Sequence, residues 1–283
     1  MSDADAITHL NAALAPPMPT LHHLTAGLIL LAAASSAEAQ IASQEPDSAG
    51  VYESARHNFQ VVTVVEGLEY PWSMAWLPTG EMLVVERPGR LRIVRDGVLD
   101  PNPVSGFPAV YRQRGQGGFM DVVLHPDFAQ NRLVYLTYGK PDEDDSMGTT
   151  TVVRGRFEGD RVVGVEEIFE SVAWHENNNH FSGRMTFDHE GYLYVAVGDR
   201  QALPDLLADH PAQDLTNHMG TIVRLHDDGR VPSDNPFIGH ATALPEIWSY
   251  GHRNMQGLAT DPISGVVWSN EHGPRGGDEL NLI

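Results

Sequence analysis

One of the 14 histidines in this chain stands in a setting suited to moving a proton. It closes the run Asn177-Asn178-Asn179-His180 and is followed by Phe181-Ser182-Gly183-Arg184. Three consecutive asparagines favour neither helix nor strand. They read as a tight loop whose amides are occupied locally or face a ligand. Apolar alternation begins at Met185 and runs to Val197, so His180 sits at the mouth of a strand. A histidine held there by a sheet is placed to act as a general base; taken alone, the stretch fits an ordinary loop histidine better. Two other segments are dense in polar groups: Gly251-His252-Arg253-Asn254 and Glu271-His272-Gly273-Pro274-Arg275-Gly276-Gly277-Asp278-Glu279. Pro204 to His218, with Asp205, Asp209, His210, Asp214 and His218, reads as an insertion that is either a lid or plain surface.

Several generic chemistries do not fit. His175-Glu176…His180 is not a metalloprotease pair, because the second histidine is five residues on and the asparagines oppose a helix. Gly-x-Ser-x-Gly is absent, which removes the usual nucleophile elbow. No Gly-x-Gly-x-x-Gly follows a strand, so a Rossmann nicotinamide site is disfavoured. Arg112 to Gly118 is glycine-rich and basic, but lacks the Gly-Lys-Ser/Thr and helix of a phosphate loop. A paired-carboxylate glycosidase stays open, since spacing in sequence does not fix distance in space.

Positioning these residues requires a core, and 41% hydrophobic content over 283 residues supplies one. Eighteen basic against 38 acidic residues leave a formal charge of −20. Nucleic acid and anionic membrane surfaces are therefore poor partners, whereas metal cations suit the chain. Cysteine is absent, excluding disulfides and thiolate metal sites. Residues 1–39 resemble a secretory signal: the apolar run Leu28–Ala34 precedes Ala37-Glu38-Ala39-Gln40, an A-x-A cleavage pattern. The run is too short to span a membrane. No Lys or Arg precedes it, and Met18 is an alternative start. Export to the periplasm or medium follows, with the mature chain starting near Gln40, a flexible lead-in over 40–58, and a domain from 59 to 283.

That domain reads as all-β. Phe59–Val65 is strand-like, Leu91–Arg95 alternates, and Asp96-Gly97 marks a hairpin. Only Ala202–Ala208 hints at a helix. One phrase returns four times: an apolar strand, a turn of Pro, Asp or Gly, and a second apolar strand. Its copies span Ala75–Val85, Val122–Leu136, Met185–Val195 and Leu258–Trp268, at spacings of about 50 to 75 residues. Repeated four-stranded units predict a β-propeller, here an incomplete one of about four blades. A β-sandwich with chance similarity between hairpins is the weaker alternative.

At this point several motifs resemble a known family. His180-Phe181-Ser182-Gly183-Arg184 with Val197-Gly198-Asp199 is similar to the catalytic segment of the quinoprotein glucose/sorbosone dehydrogenases. Tyr250-Gly251-His252-Arg253-Asn254-Met255-Gln256-Gly257, Glu271-His272-Gly273-Pro274, Gly115-Gln116-Gly117-Gly118 and His125-Pro126-Asp127-Phe128 resemble the same family, in order, from about Phe59 to Ile283. The nearest branch is the bacterial aldose sugar dehydrogenases, six-bladed propellers that use pyrroloquinoline quinone (PQQ). The resemblance implies that His180 is the general base and that Asp199 orients it. It implies that Arg253 and Asn254 contact the quinone, and that Gln116 contacts the cofactor. Gly273 and Pro274 would bind Ca²⁺ through their carbonyls, and Glu279 a second, structural Ca²⁺. The implied reaction oxidises an aldose at C1 to a lactone, with electrons passing to an acceptor the sequence does not identify. Relatives continue beyond Ile283, so the chain is expected to be a C-terminally truncated form whose cofactor binding is impaired. Two alternatives accompany this reading: a non-catalytic propeller that binds a protein or sugar, and a metal-dependent lactone hydrolase.

Overall fold

Each copy of the repeated phrase becomes the first hairpin of its own antiparallel sheet. The computed structural model describes residues 50–111, 115–202 and 209–283, so the expected signal segment lies outside the described residues, as do residues 112–114 and most of the Ala202–Ala208 stretch. The chain divides into two compact units, residues 1–61 and 62–283. In the first, β1 (Val51–Tyr52) pairs with β2 (Phe59–Gln60), and Tyr52 stacks on Phe59 with ring centroids 5.2 Å apart. β1 thus falls inside the stretch expected to be a lead-in.

The second unit carries four sheets. The first runs β3 (Pro71–Trp76), β4 (Met82–Glu86), β5 (Arg90–Arg95), β6 (Val98–Leu99). The second runs β7 (Phe119–Leu124), β8 (Leu133–Pro141), β9 (Gly148–Phe157), β10 (Val162–Glu170). The third runs β11 (Ser182–Phe187), β12 (Leu193–Val197), β13 (Thr221–Leu225), β14 (Ile247–Tyr250). The fourth holds β15 (Met255–Thr260), β16 (Val267–Glu271) and β17 (Glu279–Leu282). The first strands β3, β7, β11 and β15 contact one another in that order, which is the blade arrangement of a propeller. Within the second hairpin the turn holds one short helix, α1 (Phe128–Asn131).

Alternation explains the stacking. Successive side chains of a strand face opposite ways, so a middle strand serves two inter-blade cores at once. Leu193, Val195 and Val197 join Tyr135, Val152 and Phe169 from the preceding sheet. Tyr194 and Ala196, on the other face of the same strand, join Met255, Leu258 and Val267 from the next. Both faces are apolar, which is why β12 reads as a continuous hydrophobic run.

A polar pin crosses the four first strands. Arg184, on β11, donates from Nε to Gln256 O at 2.8 Å on β15 and from Nη2 to Trp72 O at 3.0 Å on β3. Its Nη1 meets Asp121 Oδ1 on β7 at 3.4 Å. Asp121 also accepts from the Ser73 hydroxyl and from Met185 N at 2.8 Å.

One expected strand is shorter than its valine-rich sequence suggests. Phe59–Val65 was expected throughout; β2 ends at Gln60 and Val61, Val62 and Val64 are exposed. β-Branched residues favour a strand, but a strand forms only where a neighbour takes its hydrogen bonds, and residues 61–65 pair with no strand among the described residues. The Asp96-Gly97 hairpin forms as expected: both residues have positive φ, 50° and 75°, as a type I′ turn requires. Among the described residues no helix is long and apolar enough to cross a membrane.

Candidate active site

The loops that lead into first strands, and those that join second strands to third, gather at one end of the sheets. They enclose a cavity of about 550 Å³ whose wall includes His180, Asp199, His210, Arg253, Gly273, Pro274 and Glu279, within the size range of small-molecule sites.

His180 reaches this wall through a strained turn. Its φ is +51°, and Ser182 and Gly183 are also positive, at 59° and 85°. For residues other than glycine this conformation persists only where surroundings enforce it. Here they do. His180 N donates to Gln116 Oε1 at 2.8 Å, and His180 O accepts from Arg200 N at 3.3 Å. Phe181 O accepts from Thr150 Oγ1 at 2.9 Å and Gly198 N at 3.2 Å. Position 198 must be glycine: a Cβ there would lie 2.0 Å from His180 O.

Arg200 holds the asparagine loop from beneath. It is fully buried and donates to the carbonyls of Gly148 (2.5 Å), Ala173 (3.0 Å), Asn179 (3.3 Å) and Asn177. Its guanidinium lies 3.6 Å from the Phe181 ring centroid. Among the described residues no carboxylate forms an ion pair with it, and burial pulls its pKa down to about 10. The side chains of Asn177 and Asn179 and the backbone of Asn178 are occupied locally. Asn177 Oδ1 accepts from Asn179 N at 3.0 Å, Asn178 O accepts from Gln116 N at 2.7 Å, and Asn179 Nδ2 donates to Gln201 Oε1 at 3.0 Å.

Asp199 directs the histidine. Its carboxylate is buried, and Oδ1 lies 2.6 Å from His180 Nδ1 and 2.8 Å from Gln201 N. A carboxylate only accepts, so Nδ1 carries the proton of neutral His180 and Nε2 keeps a lone pair. The backbone of Asp199 donates to Arg253 O at 2.8 Å, tying the third sheet to the fourth.

Arg253 is fixed from both ends. Its N–H donates to Glu271 Oε2 at 2.5 Å, and Nη1 donates to His272 O at 2.9 Å and Gly273 O at 3.1 Å. Glu271 also accepts from His252 Nδ1 and from Asn281 Nδ2, each at 2.9 Å. Burial pushes this carboxyl up, but the His252 and Arg253 hydrogen bonds outweigh it and hold its pKa below the usual range. His252 Nε2 meets Ser249 Oγ at 2.8 Å.

The sequence-selected residues therefore divide. His180, Asp199, Arg253, Gly273, Pro274 and Glu279 share one cavity wall. Gln116 does not line it; its amide oxygen serves the His180 backbone. Asn254 is buried behind it, with Oδ1 accepting from Gln256 Nε2 at 2.9 Å. Of the insertion residues left without a role, His210 lines the cavity, Asp209 does not, and Asp205 lies outside the described residues.

Among the described residues no three His, Cys, Asp or Glu side chains gather to hold a metal ion, so a cation here must rest largely on backbone oxygens. The carbonyls of His272 and Gly273 already converge on a cationic group, the Arg253 guanidinium. Hard oxygen donors of this kind suit Ca²⁺.

Comparison with known proteins accords with this geometry. Residues 68–283 match the glucose/sorbosone dehydrogenase family. The chain belongs to that family. It is 44% identical over 225 residues to the aldose sugar dehydrogenase YliI of Escherichia coli, covering 78% of this chain and 58% of that protein. It is 28% identical over 287 residues to quinoprotein glucose dehydrogenase B of Acinetobacter calcoaceticus, covering 92% of this chain and 58% of that one. The PQQ-bound aldose sugar dehydrogenase of Streptomyces coelicolor superposes with a TM-score of 0.66 at 28% identity, over 79% of this chain and 62% of that one. The chain thus spans about three fifths of the length of these relatives.

Within this glucose/sorbosone dehydrogenase chain, Arg200 was not selected from sequence, and Glu271 was named only within a motif and given no role. A signal for Glu271 was present in the repeat. All four sheets place a carboxylate at or just after the end of the second strand: Glu86, Asp142, Asp199 and Glu271. Glu86 Oε1 accepts Glu69 N at 2.6 Å, as Glu271 Oε2 accepts Arg253 N, each capturing the loop that leads into its sheet. Arg200 carried no such mark, because burial of a lone arginine is decided by loops distant in sequence.

Proposed function

We propose that this chain forms the active site of a PQQ-dependent aldose sugar dehydrogenase that oxidises the anomeric carbon to a lactone. The observation that carries the reading is the 2.6 Å His180–Asp199 contact in the wall of the cavity that also holds Arg253, Gly273 and Pro274. Family membership and the PQQ-bound neighbour support it.

His180 Nε2, with its lone pair free, takes the proton from the anomeric hydroxyl. Asp199 keeps Nδ1 protonated and favours the imidazolium that results. PQQ, with Ca²⁺ as a Lewis acid, would supply the hydride-accepting quinone chemistry for oxidation at C1. Gly273 and Pro274 would hold that Ca²⁺ through their carbonyls. Glu279, exposed and with its carboxylate bonded only to Asn281 Nδ2 at 3.2 Å among the described residues, would hold a second, structural Ca²⁺. Arg253 places a fixed positive charge where negative charge develops, and Asn254 and Gln116 support the cofactor side of the pocket. The signal-like segment over residues 1–39 supports export to the periplasm or medium, where an electron acceptor of unassigned identity would reoxidise the enzyme.

The test is aldose-dependent dye reduction by the purified chain, with PQQ and Ca²⁺ supplied together, singly and not at all. Turnover only with both additives supports the reading. Sugar lactone hydrolysis that needs Ca²⁺ but no quinone would replace it with a hydrolase.

A further inference from the structure

His210 approaches Asp199 from the side opposite in role to His180. It lies in the connection between β12 and β13, at the start of a short 3-10 turn over Pro211–Gln213. The turn is anchored: Gln213 N donates to His210 O at 2.8 Å, and Gly251 N donates to the buried Ala212 at its carbonyl, 3.0 Å. The ring is anchored too, because Ala212 N donates to His210 Nδ1 at 3.2 Å. A neutral imidazole that accepts at Nδ1 carries its proton on Nε2. That Nε2 lies 3.6 Å from Asp199 Oδ2.

The two oxygens of Asp199 are unequally supplied. Oδ1 accepts from both His180 Nδ1 and Gln201 N. Among the described residues no hydrogen bond reaches Oδ2, and His210 Nε2–H is the donor that faces it. At 3.6 Å the contact is electrostatic rather than a closed hydrogen bond; such contacts commonly tighten when substrate binds.

We propose that His210 is a positioning residue for the His180–Asp199 pair: its Nε2–H fixes the Asp199 carboxylate through Oδ2, so that Oδ1 stays on His180 Nδ1. This rests on the reading of His180 as the base. The competing role for His210 is merely to cap the 3-10 turn. The two roles use different ring nitrogens, so substitution separates them. His210→Asn puts an amide oxygen near the Nδ1 position, keeping the cap and losing the donor to Asp199. His210→Gln puts an amide nitrogen near the Nε2 position, keeping that donor.

Two readouts test this on the full chain. In the cofactor-free protein labelled with ¹⁵N-histidine, long-range proton–nitrogen spectra should show His210 as the Nε2–H tautomer and His180 as Nδ1–H. His210→Asn should shift the His180 Nδ1–H signal, and His210→Gln should return it. In the protein loaded with PQQ and Ca²⁺, His210→Asn should lower kcat about tenfold, as for one lost hydrogen bond to a charged group, with KM changed no more than about twofold. His210→Gln should recover most of that loss. An unmoved His180 signal with unchanged kcat in His210→Asn would overturn the proposal, as would finding His210 protonated on Nδ1. If the spectral shifts occur but the loaded, unsubstituted protein oxidises no aldose, the positioning role stands and the dehydrogenase reading falls.

Discussion

Changing Asp199 to Asn alters the charge at the centre of the site and leaves its shape. Oδ1 now serves two N–H donors, His180 Nδ1 and Gln201 N. An amide can accept both but cannot stabilise an imidazolium by charge. Asp199→Asn should therefore lower kcat about 10²- to 10⁴-fold, the range for losing general-base catalysis, with the thermal melt little changed; steady-state kinetics and circular dichroism check it. Retained turnover would mean that Asp199 only shapes a loop. At this scale the chain was legible where chemistry leaves a motif: His180, Asp199 and Arg253 were chosen from sequence and share one cavity wall. Arg200 was not legible, because its four carbonyl partners come from Gly148, Ala173, Asn177 and Asn179, on segments that only the fold brings together.

Among elements, the β12–β13 connection does most to place His180. It supplies Asp199, Arg200 and His210, and its glycine passes against the His180 carbonyl. Gly198→Ala puts a methyl group 2.0 Å from that oxygen, so the His180 turn must move. The expected cost is about 1–3 kcal/mol of stability, typical of overpacking, together with a fall in kcat that exceeds any change in KM. Urea unfolding and kinetics on one preparation measure both; unchanged values would show that the turn has slack. The four hairpins were readable because each strand alternates toward two cores, as β12 does with Leu193 and Tyr194. Phe59–Val65 is strand-like as well, yet only Phe59–Gln60 is paired. Pairing depends on a neighbour, and a local pattern does not specify one.

Across the whole molecule, inter-blade cores and the Arg184 pin hold the four sheets in sequence. Those cores also set an alkaline limit. Burial pushes the phenols of Tyr135, Tyr138 and Tyr194 up to about 12. In the unfolded chain they lose their protons near the ordinary value of about 10, so their contribution to stability is intact below that pH and is lost as pH rises through 12. Phenolate absorbance should show these three tyrosines, of eight in the chain, titrating late and together with loss of near-ultraviolet dichroism. Eight phenols titrating together while the dichroism stays native would contradict the burial. The acidic surface follows from the same composition: a formal charge of −20 favours cations over nucleic acid.

The most direct measurement of the central claim is the rate of dye reduction by the chain loaded with PQQ and Ca²⁺, comparing an ordinary aldose with one deuterated at C1. The account predicts sugar-dependent reduction that is slower with the deuterated sugar and lost in His180→Asn, since C1–H cleavage is coupled to proton removal by His180. Sugar-dependent reduction that persists undiminished in His180→Asn, or no reduction by a folded, PQQ-loaded chain, would contradict it.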